Sequence, residues 1–292
     1  MRMLLFALLC CVLPRWAFTQ TGVSQADPTY FSVVYGAEKG ESFDGRLLLM
    51  LSTDPSAEPR FQISDGPNTQ LVFGIDVEDW TPGEQVHFGP EAFGYPIESL
   101  SDVPAGEYYV QALLHVYETF ERADGHTVKL PMDNGEGQQW NRSPGNLLSE
   151  PLKINFDPQS GASNVLTLNE VIPPIAEPED SKYIKHIKIR SELLSEFWGR
   201  DMYLGAHVLL PEGWDENRDV KYPLAIMHGH FPYDFGGWRT TPPDTTEPCE
   251  YSARFDVDCY NRIVQQEAYD FYRAWTGPDF PRVIAVKIQH AN

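Results

Sequence analysis

Short runs of apolar residues bounded by Gly, Pro and Asp mark the first half of the chain. The clearest are 46–52 (RLLLMLS), 70–77 (QLVFGIDV) and 107–117 (EYYVQALLHVY), and their length and composition are typical of β-strands. In the third run the even positions from Tyr108 to Val116 are apolar, whereas the odd positions are mixed. This alternation predicts one face in a core. We therefore predict an all-β sandwich over 28–158.

The pattern changes after a Pro- and Glu-rich stretch, and we predict a linker over 159–182. Beyond it, 183–189 and 202–211 are strand-like. The runs 222–229 and 282–292 are continuously apolar, as in parallel strands that are buried on both faces. Between these two runs, apolar residues recur at helical spacing over 261–275. The order strand, helix, strand predicts a βαβ unit.

Two segments resemble known families. The stretch SDVPAGEYYVQAL resembles the turn and strand of immunoglobulin-like modules. The segment 202–231 resembles the start of the putative esterase group of α/β-hydrolases, which includes enterochelin-esterase-like, S-formylglutathione-hydrolase-like and feruloyl-esterase-like proteins. The motifs that carry this resemblance are Leu210-Pro211-Glu212-Gly213-Trp214, Tyr222-Pro223 and His228-Gly229.

The resemblance implies a multidomain chain, with an immunoglobulin-like β sandwich followed by an incomplete three-layer α/β-hydrolase sheet over 183–292. The implied activity is that of a secreted serine esterase that works through an acyl-enzyme, without cofactor or metal. Its substrate would be a small-molecule or polysaccharide-linked ester. The family's Gly-x-Ser-x-Gly nucleophile motif does not occur in this sequence. We therefore expect the nucleophile, acid and base beyond Asn292, and little hydrolysis by this chain alone.

The resemblance also assigns roles to the corner after 222–227. The backbone N–H of His230 or Phe231 would be an oxyanion donor. Apart from the resemblance, the position of His228, Gly229, Asp234 and Trp238 in this corner predicts that they line a substrate pocket, with a packed lid loop of aromatic residues as an equal alternative.

Two other functions stay open at this stage. A non-catalytic secreted protein could bind carbohydrate or protein, with Trp140 in the polar loop 132–151 presented to a sugar ring or to the neighbouring domain. Alternatively, Trp140 only anchors an ordinary connection. The other function is metal-dependent hydrolysis, since His228, His230 and Asp234 form H-x-H-x3-D and His290 ends the next strand.

The apolar segment near the N-terminus predicts a signal peptide over 1–19, and hence a secreted or periplasmic protein. It is too short to span a bilayer, and no later segment is long enough. Cys249 and Cys259 then predict a disulfide, with two buried thiols as the alternative.

Composition narrows the classes of partner. Hydrophobic residues at 42% exclude a disordered chain, and the net charge of −20 argues against nucleic acid and anionic lipid as partners. If the chain ends at Asn292, we expect 283–288 to lie at an open sheet edge and to promote self-association.

Overall fold

The computed structural model describes residues 28–40, 42–215, 219–229 and 234–289. The strands in these ranges are β1 Phe31–Tyr35, β2 Phe43–Ser52, β3 Leu71–Trp80, β4 Val86–Phe88, β5 Phe93–Tyr95, β6 Gly106–Glu121, β7 Thr127–Leu130, β8 Leu147–Leu148, β9 Leu152–Phe156, β10 Asn164–Leu168, β11 Glu170–Val171, β12 Ile184–Arg190, β13 Tyr203–Leu209, β14 Leu224–Met227 and β15 Ile284–Gln289. The α-helices are α1 Glu192–Trp198 and α2 Tyr260–Thr276, and 3-10 turns occur at Ala37–Lys39, Pro59–Phe61 and Leu100–Asp102. Within the same ranges, every helix is too short or too polar to cross a lipid bilayer.

The first part of the chain is a β sandwich. Its larger sheet has eight strands, with the order β11-β8-β6-β2-β3-β5, while β7 and β9 pair elsewhere along β6. The smaller sheet has the order β10-β1-β4. One buried cluster joins the two sheets, and it includes Phe31 and Val33 from the smaller sheet and Leu47, Leu49 and Phe73 from the larger. An all-β first part is consistent with the prediction, and the inward positions of β6 are those that the alternation indicated.

The sandwich extends further along the chain than 158. β10 pairs in parallel with β1, and β11 pairs with β8, although both strands lie in the stretch predicted as a linker. Leu166 and Leu168 of β10 are buried in the sandwich core, which explains why this segment forms a strand. The stretch without regular structure is therefore only 172–183. The predicted signal peptide, 1–19, lies outside the described residues.

The second part is a four-stranded sheet with the order β12-β13-β15-β14. β14 and β15 are parallel, and α2 connects them, so the predicted helix and βαβ unit are confirmed. Trp275 of α2 is buried against Leu209 and Ala285, and its Nε1 donates a hydrogen bond to the carbonyl of Leu210 at 3.0 Å. α2 thus covers one face of this sheet.

The predicted three-layer α/β-hydrolase fold is wrong. The described residues form three sheets with only two α-helices, and the second face of the four-stranded sheet is open. On that face Leu224 and Ile226 are each 61% exposed, and Ile187 and Ile189 are 46% and 58% exposed. Continuous apolar runs predicted burial on both faces, whereas the described residues cover only one face.

The open edge predicted for 283–288 is also wrong. β15 lies between β13 and β14, so that the exposed edge on this side of the sheet belongs to β14. The cysteine pair, in contrast, is joined: a disulfide links Cys249 to Cys259 immediately before α2.

Candidate functional site

The corner after β14 lies only partly within the described residues. His228 and Gly229 follow the strand and are exposed, and a Cβ atom at Gly229 would meet nothing within 4 Å. The two predicted oxyanion donors, His230 and Phe231, lie outside the described residues. Their role therefore stays a prediction.

Asp234 and Trp238 have different surroundings. Asp234 is exposed, and its Oδ1 accepts a hydrogen bond from the backbone N–H of Gly236 at 2.6 Å. Trp238 packs edge-on against Tyr272 of α2, with 5.2 Å between ring centroids, and it belongs to the core of the second sheet. Lys287 donates to the carbonyl of Phe235, and burial lowers the pKa of this lysine. Phe235 and Trp238 thus pack against the second sheet and α2, while Asp234 is exposed, and the role of this loop in a pocket stays a prediction.

The metal alternative needs at least three ligands close together. Among the described residues, no group of three or more His, Cys, Asp and Glu side chains has that arrangement. Two residues of the proposed set, His230 and His290, lie outside these residues.

A cavity of about 670 Å³ lies elsewhere, on the outer face of the eight-stranded sheet. Its volume falls within the range of about 300–1,000 Å³ that is usual for small-molecule sites. Three parts of the chain enclose it. The sheet forms the floor, the segment 130–140 forms one wall, and the end of α1 forms the other.

The floor is built from the mixed face of β6 and its neighbours. Because side chains alternate along a strand, the positions next to the buried core residues point away from the core. They contribute Leu48 and Val72 as apolar surface, together with Arg46, His115 and Tyr117. Arg46 and His115 are direct partners across β2 and β6.

Arg46 is held in place by its neighbours on β3. Its Nη1 donates to Oδ1 of Asp76 at 2.8 Å, and a Cβ atom at Gly74 would lie 2.7 Å from its Nε. The glycine therefore leaves room for the guanidinium to lie flat across the strand. The positive charge at the floor is paired with a carboxylate.

His115 and Tyr117 are two polar rings in an apolar setting. Their ring centroids are 5.7 Å apart in an edge-to-face arrangement. Burial lowers the pKa of His115 to about 4, because it penalises the imidazolium, so this side chain is neutral at pH 7. Burial also raises the pKa of Tyr117, with a smaller contribution from the negative charge of Asp76. Within the described part of the chain, neither side chain makes a hydrogen bond.

The wall from the segment 130–140 is internally braced. Oδ1 of Asp133 accepts hydrogen bonds from the backbone N–H groups of Gly135 and Gly137, at 2.8 and 3.2 Å. The carboxylate of the buried Glu136 accepts from the hydroxyl of Ser143 at 2.8 Å. Burial raises the pKa of Glu136, and the charge of Asp133 adds to this. These contacts fix the wall without help from a ligand.

Trp140 anchors its loop and also lines the cavity, whereas its presentation to a sugar ring stays a prediction. Its indole packs against a small apolar cluster on the outer face of the sheet, which includes Met50 and Leu113, and it also lines the cavity. The carbonyl of Trp140 accepts a hydrogen bond from Nδ2 of Asn146 at 2.8 Å. The indole is therefore a fixed, partly exposed surface.

The opposite wall comes from α1, which docks on the end of β6. Trp198 packs against Phe120, with 5.3 Å between ring centroids, and the backbone N–H of Ala123 donates to the carbonyl of Phe197 at 2.8 Å. Gly199 ends the helix with φ of 67°, and a Cβ atom there would lie 2.5 Å from a carbonyl oxygen of β6. Only glycine combines this left-handed conformation with so close an approach.

Perturbed titratable groups in an apolar concave site are a recognised sign of a functional site. Here three such groups, His115, Tyr117 and Glu136, line one cavity. Of the lining residues, the sequence drew attention only to Trp140 and to the mixed face of β6. Comparison with protein-family models and with curated proteins gives no match to this chain.

Proposed function

We propose that this chain is exported and binds a small, ring-shaped organic molecule in the cavity between the β sandwich and α1. The observation that carries the proposal is the cavity itself, with about 670 Å³ of space, indole rings on two walls and a few polar groups on its floor. Flat aromatic side chains bury much apolar area and stack on ring-shaped ligands. The disulfide between Cys249 and Cys259 supports export, because such bonds persist in oxidising compartments.

The lining favours binding over acyl transfer. None of the sixteen lining residues is a Ser, Thr, Cys or Lys, which are the usual nucleophiles of acyl transfer. The cavity also lies on the sandwich and not at the corner after β14. Ester hydrolysis therefore rests on the sequence resemblance alone and stays a prediction.

Saturation-transfer NMR on the purified chain tests the proposal. The probes are 4-phenylphenol, indole and methyl β-glucoside, three uncharged ring compounds that differ in apolar surface. We expect a signal from at least one of them, and a dissociation constant at least about tenfold weaker in Trp140→Ala, because the variant loses a stacking surface.

Two further variants control for folding. Phe93→Ala removes an aromatic side chain that is 66% exposed on β5, outside the cavity, and it should leave binding unchanged. Leu130→Trp places a larger side chain at an exposed position on the rim of the cavity. It should weaken ligand binding and leave the packing of the buried core unchanged. If none of the probes gives a signal, or if Leu130→Trp binds them as well as the native chain does, the proposal is wrong.

A further inference from the structure

The charged side chains around the cavity already make ion pairs or hydrogen bonds within the protein. Arg46 pairs with Asp76 across β2 and β3. Asp133 and Glu136 each accept hydrogen bonds from the segment that carries them. A charged ligand would therefore compete with existing contacts instead of completing one.

The two neutral rings on the floor are different. The imidazole of His115 offers one donor and one acceptor when it is neutral, and the hydroxyl of Tyr117 offers both. Neither ring has a hydrogen-bond partner among the residues that the structure describes. Partly buried polar groups need a partner, from water or from a ligand.

The signs of the charges disfavour an anion, and dehydration disfavours either kind of ion. An anion would enter a space lined by Asp133 and Glu136 and bordered by Asp76, in a chain with a net charge of −20. A cation would approach the guanidinium of Arg46. Either ion would also lose its hydration against walls that are mainly apolar.

We infer that the cavity selects an uncharged ring compound that carries a hydroxyl group, and that His115 and Tyr117 bond this hydroxyl while Trp140 supports the ring. This inference rests on the proposed binding function and names the class of ligand. The hydroxyl completes hydrogen bonds that the described residues do not supply, and the rest of the ligand meets apolar surface.

A series of ligands of similar shape separates the effects of the hydroxyl group and of charge on affinity. The probes are biphenyl, 4-phenylphenol, 4-phenylbenzoate and 4-phenylbenzylamine, which is a cation at pH 7.4. Their dissociation constants are measured with the native chain by ligand-observed NMR. We expect 4-phenylphenol to bind at least about tenfold more tightly than either ion and severalfold more tightly than biphenyl.

Variants then locate the hydrogen bonds. In Tyr117→Phe and in His115→Leu, 4-phenylphenol should lose most of its advantage over biphenyl, while biphenyl should still bind. Retained binding of biphenyl also shows that the variants are folded.

Each outcome has a distinct meaning. If an ion binds as tightly as 4-phenylphenol, the inference about charge is wrong while the cavity remains a binding site. If the phenol keeps its full advantage in both variants, the two residues have been assigned wrongly. If no member of the series binds but indole does, this inference is wrong and the proposed function stands. If neither the series nor the three earlier probes bind, both are wrong.

Discussion

Replacing His115 with Asn should make the protein less sensitive to mild acid. The pKa of His115 in the native state is about 4, against an ordinary value of 6.5. Between these two values the unfolded chain binds a proton that the native state excludes. The free energy of unfolding therefore decreases as the pH falls from 6.5 towards 4, and an uncharged Asn side chain removes this contribution.

The magnitude follows from the two pKa values. Because the native state does not bind this proton, the free energy of unfolding is lower by about 2.6 kcal/mol at pH 4.5 and by about 0.2 kcal/mol at pH 7. The upper limit for the loss of stability between the two pH values is therefore about 2.4 kcal/mol. The ring is partly accessible, so solvent screening reduces the effect, and we expect about 1–2 kcal/mol.

Urea unfolding of the native chain and the variant at pH 7 and pH 4.5 measures this. The quantity of interest is the difference between the two proteins in how much stability each loses on acidification. The other charged and titratable groups of the cavity, Arg46, Tyr117, Asp133 and Glu136, are present in both proteins, so their contributions largely cancel.

His126→Asn is the matched control, because this histidine lies on the same hairpin with 73% of its side chain exposed. Its surface pair with Asp124 is worth about 0–1 kcal/mol. Equal acid sensitivity of the native chain and His115→Asn would refute the reasoning, since it would mean that the imidazole is not desolvated by its surroundings.

Two other predictions concern the second sheet. Reduction of the disulfide between Cys249 and Cys259 should lower the free energy of unfolding of this part by about 3 kcal/mol, because the bond closes a loop with a sequence separation of 10. The melting temperature with and without dithiothreitol measures this effect. A double Cys→Ser variant is the control, and its melting temperature should not respond to the reductant. Lys in place of Leu224 and Ile226 should reduce self-association through the open apolar face, whereas Glu267→Lys on α2 should not. Light scattering after size-exclusion chromatography over a range of concentrations measures the latter effect, and a native chain that is monomeric throughout would contradict it.

The sequence predicted individual elements better than their assembly. The alternation in β6 identified the inward face, and the spacing of apolar residues gave α2 to within one residue at each end. The number of layers could not be predicted in this way, because an apolar run does not specify what covers each face. Leu224 and Ile226 have the composition of buried residues but are largely exposed.

The cavity could not be predicted from the sequence, for a different reason. Its floor takes alternate residues from β2, β3 and β6, and its walls come from segments that are distant along the chain. Only the register brings Arg46 opposite His115. A local signal did exist for α1: Ser191 caps its start, its hydroxyl accepting from the backbone N–H of Leu194, and Gly199 follows its end. That pattern would have placed Trp198 at the end of a helix.

The parallel pairing of β1 with β10 determines when the smaller sheet can form during synthesis of the chain. Phe31 lies opposite Asn164, so the smaller sheet lacks a strand until residue 168 has been synthesised. At about 5–20 residues per second, β1 waits roughly 7 to 27 s for this partner. During that time its edge and the apolar side chains beneath it are open to other chains. The smaller sheet therefore closes only after β10 has been synthesised, and a chaperone that shields β1 over this interval would increase the yield of folded protein.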